Sequence, residues 1–271
     1  MSDQLIWNGN NFVFPAGLIP DKEDSRDYKV TDVLGAPQVD WEKGFNVFEE
    51  LSFAVPNKDQ GSSLSCTGQA AAQYARVLHK KLEVEVFDFS PKFIYSQIFL
   101  PNGGATLRDA IKIVATQGVA KETLVPSMNG EFSPTEQFME DTSWKSDAIF
   151  ADAKSYDQFS YRVIPGQTSD IDLFATSIQQ YFGLLLGFTC SNNGWCKPLI
   201  SVPVKGDVTY GHAVYGCGFG MYQGKKCIFT PNSWGNRYGI PEGRWKGLQA
   251  IPEEYFTATI DSAVGPAVGY L

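Results

Sequence analysis

The hydrophobic period of this chain changes partway along it, and that change constrains the fold more than any other feature. From Ser65 onward, Ala70, Tyr74, Val77 and Leu78 recur at helical spacing, which predicts a helix beginning near Cys66. Ser90-Pro91 reads as an N-cap followed by proline at the first helical position, opening Phe93-Ile94-Tyr95. Thr106 and Asp109 make a capping-box-like start for Leu107, Ala110, Ile111 and Val114, and Gly118 sits where such a helix ends. A further helix is expected from about Ile171 to Tyr181. Beyond it, Leu184 to Phe188 reads as a buried strand, and His212 to Phe219 with Lys226 to Thr230 as a strand pair turning near Tyr222-Gln223-Gly224. Gly243 to Leu248 and Tyr255 to Ile260 are further strand candidates. Helices first and antiparallel strands afterwards predict an α+β protein, with the change falling between residues 150 and 165.

Residues 1–35 follow neither period. They hold Pro15, Pro20 and the charged run Asp21-Lys22-Glu23-Asp24, and they read as an extended arm. Yet the arm carries Trp7, Phe12, Phe14, Leu18 and Ile19, more apolar residues than a solvated tail holds, so it is expected to dock on the body. Docking on the back of the protein would only brace it; docking in a cleft would block access.

Charge and composition narrow the partners. Thirty acidic residues against 22 basic ones give a formal charge of -8, with no basic run, which argues against general nucleic-acid binding. No apolar run is long enough to span a bilayer. The segment MSDQLIWNGNNFVF lacks the basic and apolar regions of a secretory signal, so a cytoplasmic location is expected. Five cysteines, Cys66, Cys190, Cys196, Cys217 and Cys227, leave at least one thiol outside any intramolecular pairing. All five are expected to be free, with Cys190 and Cys196, and Cys217 and Cys227, the pairs to watch. Two histidines and no paired C-x-x-C motif make a zinc site a poor reading, and no metal or other cofactor is expected.

The segment Asp59-Gln60-Gly61-Ser62-Ser63-Leu64-Ser65-Cys66 runs a glycine-containing loop straight into a helix with a cysteine at its start. Unpaired amides and the helix dipole there favour a thiolate, the nucleophile that covalent acyl transfer needs. Gln60 offers an amide to a developing oxyanion. Taken alone, a small buried cysteine is an equal alternative. His212, in Tyr210-Gly211-His212-Ala213-Val214, supplies a base from elsewhere in the chain. His79 is the other histidine, but it lies near the far end of the Cys66 helix, roughly 20 Å along it at ~1.5 Å per residue, and a solvated helix face is the expected place for it. Asn232, in Pro231-Asn232-Ser233-Trp234-Gly235, can accept from one imidazole nitrogen and leave the other facing sulfur, with Trp234 shielding the bond. A polar turn is the plainer account of that segment.

Together these motifs resemble the papain family of cysteine peptidases over residues 36–250. Val39-Asp40-Trp41 resembles the start of the family's mature domain, Gln60-Gly61 through Ser65-Cys66 its nucleophile motif, and Asn102-Gly103-Gly104 its substrate-pairing glycine segment. Gly211 to Val214 and Asn232 to Gly235 resemble the histidine strand and the asparagine motif. The resemblance implies two lobes about a cleft within residues 36–271: a helical lobe over about 45–160 and a β-barrel-like antiparallel lobe over about 161–260. It implies a peptide or protein substrate cleaved by Cys66, His212, Asn232 and Gln60, with Ser65, Gly103, Gly104 and Trp234 touching that substrate. An acyl transferase or ligase with the same residues, or an inactive binding protein on the same fold, are the alternatives. The chain departs from the family at Thr67, usually tryptophan, and at Leu64, usually glycine; Ser63 and Pro101 stand where the family has a disulfide pair. No long family-type propeptide precedes the domain, and the longer interval from Cys66 to Asn232 points to an insertion among the C-terminal strands.

Overall fold

The computed structural model describes residues 6–7, 12–13, 17–22, 39–56, 58–82, 87–128, 130, 133–157, 160–164, 170–257 and 268–270. Its organising element is the Cys66–Leu82 helix, whose first twelve positions include one after another of the small residues Gly68, Ala70, Ala71, Ala72 and Ala75. Small side chains let the strands behind it approach closely: Ala70, Tyr74 and Val77 share one core cluster with Leu185, Ala213 and Tyr215. Leu184, Leu186, Phe188 and Val214 point the other way, into a second cluster with Ile171, Phe174 and Ile178 of the Ile171–Tyr181 helix. Leu184–Phe188 and the Ala213–Gly216 half of the neighbouring strand Thr209–Gly216 are thus buried on both faces, which explains why Leu184 to Phe188 reads as an apolar run rather than an alternating one.

The caps hold as the sequence predicts. Ser90 and Thr106 accept from Phe93 and Asp109 N–H groups at their helix starts, and Gly118 adopts φ 73° after the Leu107–Gln117 helix. The Ile171–Tyr181 helix also stands where it is expected.

The β part is antiparallel, as expected, and open. Among the described residues there are two separate four-stranded antiparallel sheets and no closed barrel. One has the order Val163–Ile164, Val268–Tyr270, Leu184–Ser191, Thr209–Gly216; the other Phe45–Asn46, Gly218–Tyr222, Lys225–Thr230, Gln249–Pro252. The expected strand His212 to Phe219 is two strands, because at Cys217 the chain leaves the first sheet for the second. There the Cys217 N–H donates to the Phe229 carbonyl and its carbonyl accepts from Val47 N–H.

Two other strand expectations fail. Gly243 to Leu248 is a turn region in which Gly243 and Gly247 take φ of 79° and 82°, and the strand is Gln249–Pro252 just beyond it. Tyr255 opens no strand: Glu253–Thr257 is a helix with two acidic residues in its first turn, and 258–260 lie outside the described residues.

Candidate active site

Cys66 is the first residue of its helix and is fully buried. The helix start favours a thiolate, but burial dominates and pushes the thiol up to about 11; N–H groups of Gly17, Ala213 and Thr67 offset this only in part. The Gly17 N–H donates to Sγ at 3.3 Å.

His212 lies on the strand beside the helix, opposite Phe188. Its Nε2 is 2.9 Å from Asn232 Oδ1. Asn232 Oδ1 also accepts from the Ser233 N–H at 2.7 Å, while its Nδ2 donates to Gln249 Oε1 at 2.7 Å, which identifies the oxygen as the atom facing His212. The imidazole therefore carries its proton on Nε2 and leaves Nδ1 as a lone-pair acceptor. Nδ1 is buried without a hydrogen-bond partner among the described residues. Trp234 stacks on the ring at 4.3 Å between centroids, and Trp195 meets it edge-on at 5.3 Å. Burial lowers the His212 pKa to about 4, against the Asn232 bond, which raises it. With the thiol raised and the imidazole lowered, both are uncharged at neutral pH in this state.

Gln60 is buried between the two motifs. Its Nε2 donates to the Ser63 carbonyl at 2.8 Å, its Oε1 accepts from Ser233 Oγ at 2.5 Å, and its N–H donates to the Ser233 carbonyl at 2.8 Å. The nucleophile loop is thereby tied to the asparagine segment, 173 residues away along the chain. Ser65 is buried and shares a hydrogen bond with Ser63 at 2.7 Å.

Gly103 and Gly104 border the cleft, but their N–H groups bond within the protein: Gly103 N–H donates to the Leu100 carbonyl at 2.8 Å and Gly104 N–H to Tyr95 Oη at 2.9 Å, while the Gly104 carbonyl accepts from Leu100 N–H. The arm pairs with the next residue: Ala105 N–H donates to the Gly17 carbonyl at 2.8 Å, and the Ala105 carbonyl accepts from Ile19 N–H at 2.9 Å. On the other wall the Leu18 N–H donates to the Gly211 carbonyl at 3.1 Å. Residues 17–19 of the arm thus lie as a short strand between the two motifs, parallel to Ala105.

His79 is not on a solvated face. It is 9% exposed and packed among Phe87, Phe89 and Tyr156. Ala105, Trp195 and Gln249 carry no motif and went unseen in the sequence; for Trp195 the sole hint is a tryptophan in the long segment between strands. All five cysteines are free. Among the described residues no group of three or more His, Cys, Asp or Glu side chains is placed to hold a metal ion, and no helix is long and apolar enough to cross a membrane.

No family model matches the chain. Cysteine proteinase 1 of Entamoeba histolytica is 25% identical over 256 residues, covering 85% of this chain and 71% of that protein. Xylellain, a cysteine protease from Xylella fastidiosa, superposes with a TM-score of 0.73 at 24% identity, covering 95% of this chain and 96% of its own. Procathepsin B S9 from Trypanosoma congolense superposes with a TM-score of 0.65 at 14% identity, over 94% of this chain and 85% of its own. The chain has the papain-like fold.

Proposed function

We propose that the chain is a papain-like cysteine peptidase, acting on peptides or proteins, in which Cys66 is the nucleophile, His212 the base and Asn232 the group that orients it. One observation carries the reading: Asn232 fixes the His212 proton on Nε2 and leaves a buried, unbonded Nδ1 on the strand that packs against the Cys66 helix.

In the reaction the Cys66 thiol gives its proton to His212 Nδ1, and Sγ attacks the scissile carbonyl carbon. The tetrahedral oxyanion forms beside the Cys66 N–H and the Gln60 amide. The C–N bond breaks as His212 protonates the leaving amine, leaving a thioester. Water, deprotonated by His212, then hydrolyses the thioester and restores the thiol. The substrate backbone pairs with Ala105 and with the Gly211 carbonyl, the groups that the arm uses in this state.

The arm makes this state latent. It offers an N–H to sulfur where a substrate must offer a carbonyl carbon, so it fills the cleft without being a bond that Cys66 can attack. The function is tested by incubating the chain carrying Gly17→Val, which clears the arm from the cleft, with a peptide mixture and weighing the products; the cysteine variants are compared in that background. Cys66→Ala should abolish cleavage, while Cys190→Ala, Cys217→Ala and Cys227→Ala keep most of it. Cleavage surviving in Cys66→Ala would overturn the mechanism, and products heavier than hydrolysis allows would show acyl transfer to an amine instead.

A further inference from the structure

The arm reveals what the cleft wall beside Cys66 admits. Gly17, whose N–H touches Sγ, is held between two walls with no room for a side chain. A β-carbon on it would overlap the Leu64 carbonyl oxygen and come within 2.6 Å of Leu64 Cβ. Across the gap, a β-carbon on Gly104 would overlap the Gly17 carbonyl oxygen and lie 3.1 Å from Gly17 Cα. The gap is one polypeptide backbone wide. The way out of it over Gly103 is closed as well, since the Leu64 side chain lies across that residue and Cδ1 occupies the space a β-carbon there would take.

The walls cannot easily spread. Glu136 Oε2 accepts from the Leu64 N–H at 2.5 Å, its Oε1 accepts from Tyr95 Oη at 2.5 Å, and Tyr95 Oη accepts from the Gly104 N–H. One carboxylate thus fastens both sides of the gap, and opening it would leave partly buried polar groups unpaired. The next position is different. The Leu18 side chain lies over Gly187, where a β-carbon would be 2.6 Å from Leu18 Cδ2, and packs beside Leu107. The cleft takes an apolar side chain there and none at the place beside sulfur.

We propose that Leu64 makes the subsite beside Cys66 specific for glycine, so that the substrates are peptides cleaved after a glycine. This rests on the peptidase reading above. A substrate presents its carbonyl to sulfur and so runs opposite to the arm, but it passes between the same walls. A side chain that leaves the gap over Gly103 meets the Leu64 side chain there, and Leu64 Cδ1 is the part of this wall that a substitution can remove.

The test uses the full chain, as it stands and with Gly17→Val to clear the cleft, on fluorogenic peptides that carry leucine followed by glycine, alanine, phenylalanine or arginine before the scissile bond. The kcat/KM for glycine should exceed those for phenylalanine and arginine by about 100-fold or more. Leu64→Gly, and more weakly Leu64→Ala, should raise the phenylalanine and arginine values relative to the glycine value by at least about tenfold. Phenylalanine or arginine cleaved as fast as glycine, or a ratio unmoved by both Leu64 variants, would overturn the proposal and leave the peptidase standing. Cleavage of none of the peptides, by any of these proteins, would overturn both.

Discussion

Asn232 is held from both ends of its amide, and the residue that holds the far end, Gln249, has no counterpart in any motif. Gln249 Oε1 accepts from Asn232 Nδ2, and its Nε2 donates to the carbonyls of Trp195 at 2.8 Å and Lys197 at 2.7 Å. Its orientation is therefore forced by two acceptors, and it in turn forces that of Asn232. Gln249→Ala should leave the substrate-pairing groups in place but free the Asn232 amide to rotate. The expected outcome is a fall in kcat of about 10- to 100-fold with KM nearly unchanged, since misplacing a positioned group by a fraction of its reach costs on that scale. Steady-state kinetics of the variant check it; a change confined to KM would show that Gln249 serves binding instead. Cys66, His212 and Asn232 stood out in the sequence because sulfur, imidazole and amide chemistry limits which residue types can act. Gln249 and Ala105 were not legible, because their roles come from register and from backbone groups that every residue possesses. His79 shows the converse: the distance along the helix correctly removed it from the site, but helical spacing alone could not show the aromatic residues that close over it.

Among the elements, the arm is the one whose destination mattered and whose sequence stated only half of it. Its apolar residues called for docking, and of its described part Leu18 does pack against the core, while Ile19 remains exposed. The decisive residue is Gly17, which the sequence offers no reason to single out. The fit of the arm depends on that glycine, because the gap it crosses excludes a β-carbon. Gly17→Val should expel residues 17–19 and restore water to Cys66 and His212. In the unchanged chain the thiol, held up to about 11, should react with iodoacetamide slowly at pH 7 and faster as the pH rises toward that value. In Gly17→Val, labelling at pH 7 should rise by at least about tenfold, because relief of desolvation lets the thiolate–imidazolium pair form. Equal labelling rates at pH 7 with a lowered melting temperature would make the arm a brace and not a block. Helices were read well where caps and proline punctuated them, at Ser90-Pro91 and Thr106. The strands near the C-terminal end were read poorly, because Tyr255-Phe256-Thr257 has strand-forming composition yet is drawn into a helix by packing of Tyr255 and Phe256 on Phe188.

At the scale of the molecule, the fold stores an uncharged base in its interior, and this couples stability to pH. The two sheets and the Cys66 helix enclose His212 between Trp195 and Trp234, and the pKa falls from the usual 6.5 to about 4. The unfolded chain therefore binds a proton near pH 6.5 that the folded chain does not bind until about pH 4. The contribution is fully present above pH 6.5 and is lost as the pH falls through that window to about 4. Cys66 acts at the other end: its thiol is raised from 9 to about 11, so its contribution is present below pH 9 and lost as the pH rises to about 11. Carboxylates also titrate in acid, so the His212 share must be isolated by difference. His212→Gln keeps a polar side chain of similar reach but cannot take up the proton. Denaturant unfolding from pH 8 to pH 4.5 should cost the unchanged chain about 2–3 kcal/mol more than the variant, from the 1.36 kcal/mol that each pKa unit represents. The two curves should run together above pH 7 apart from a constant offset and separate below it. Parallel curves across the whole range would mean that His212 is solvated in the folded chain, and the enclosed, arm-covered cleft would then be the wrong description of its resting state.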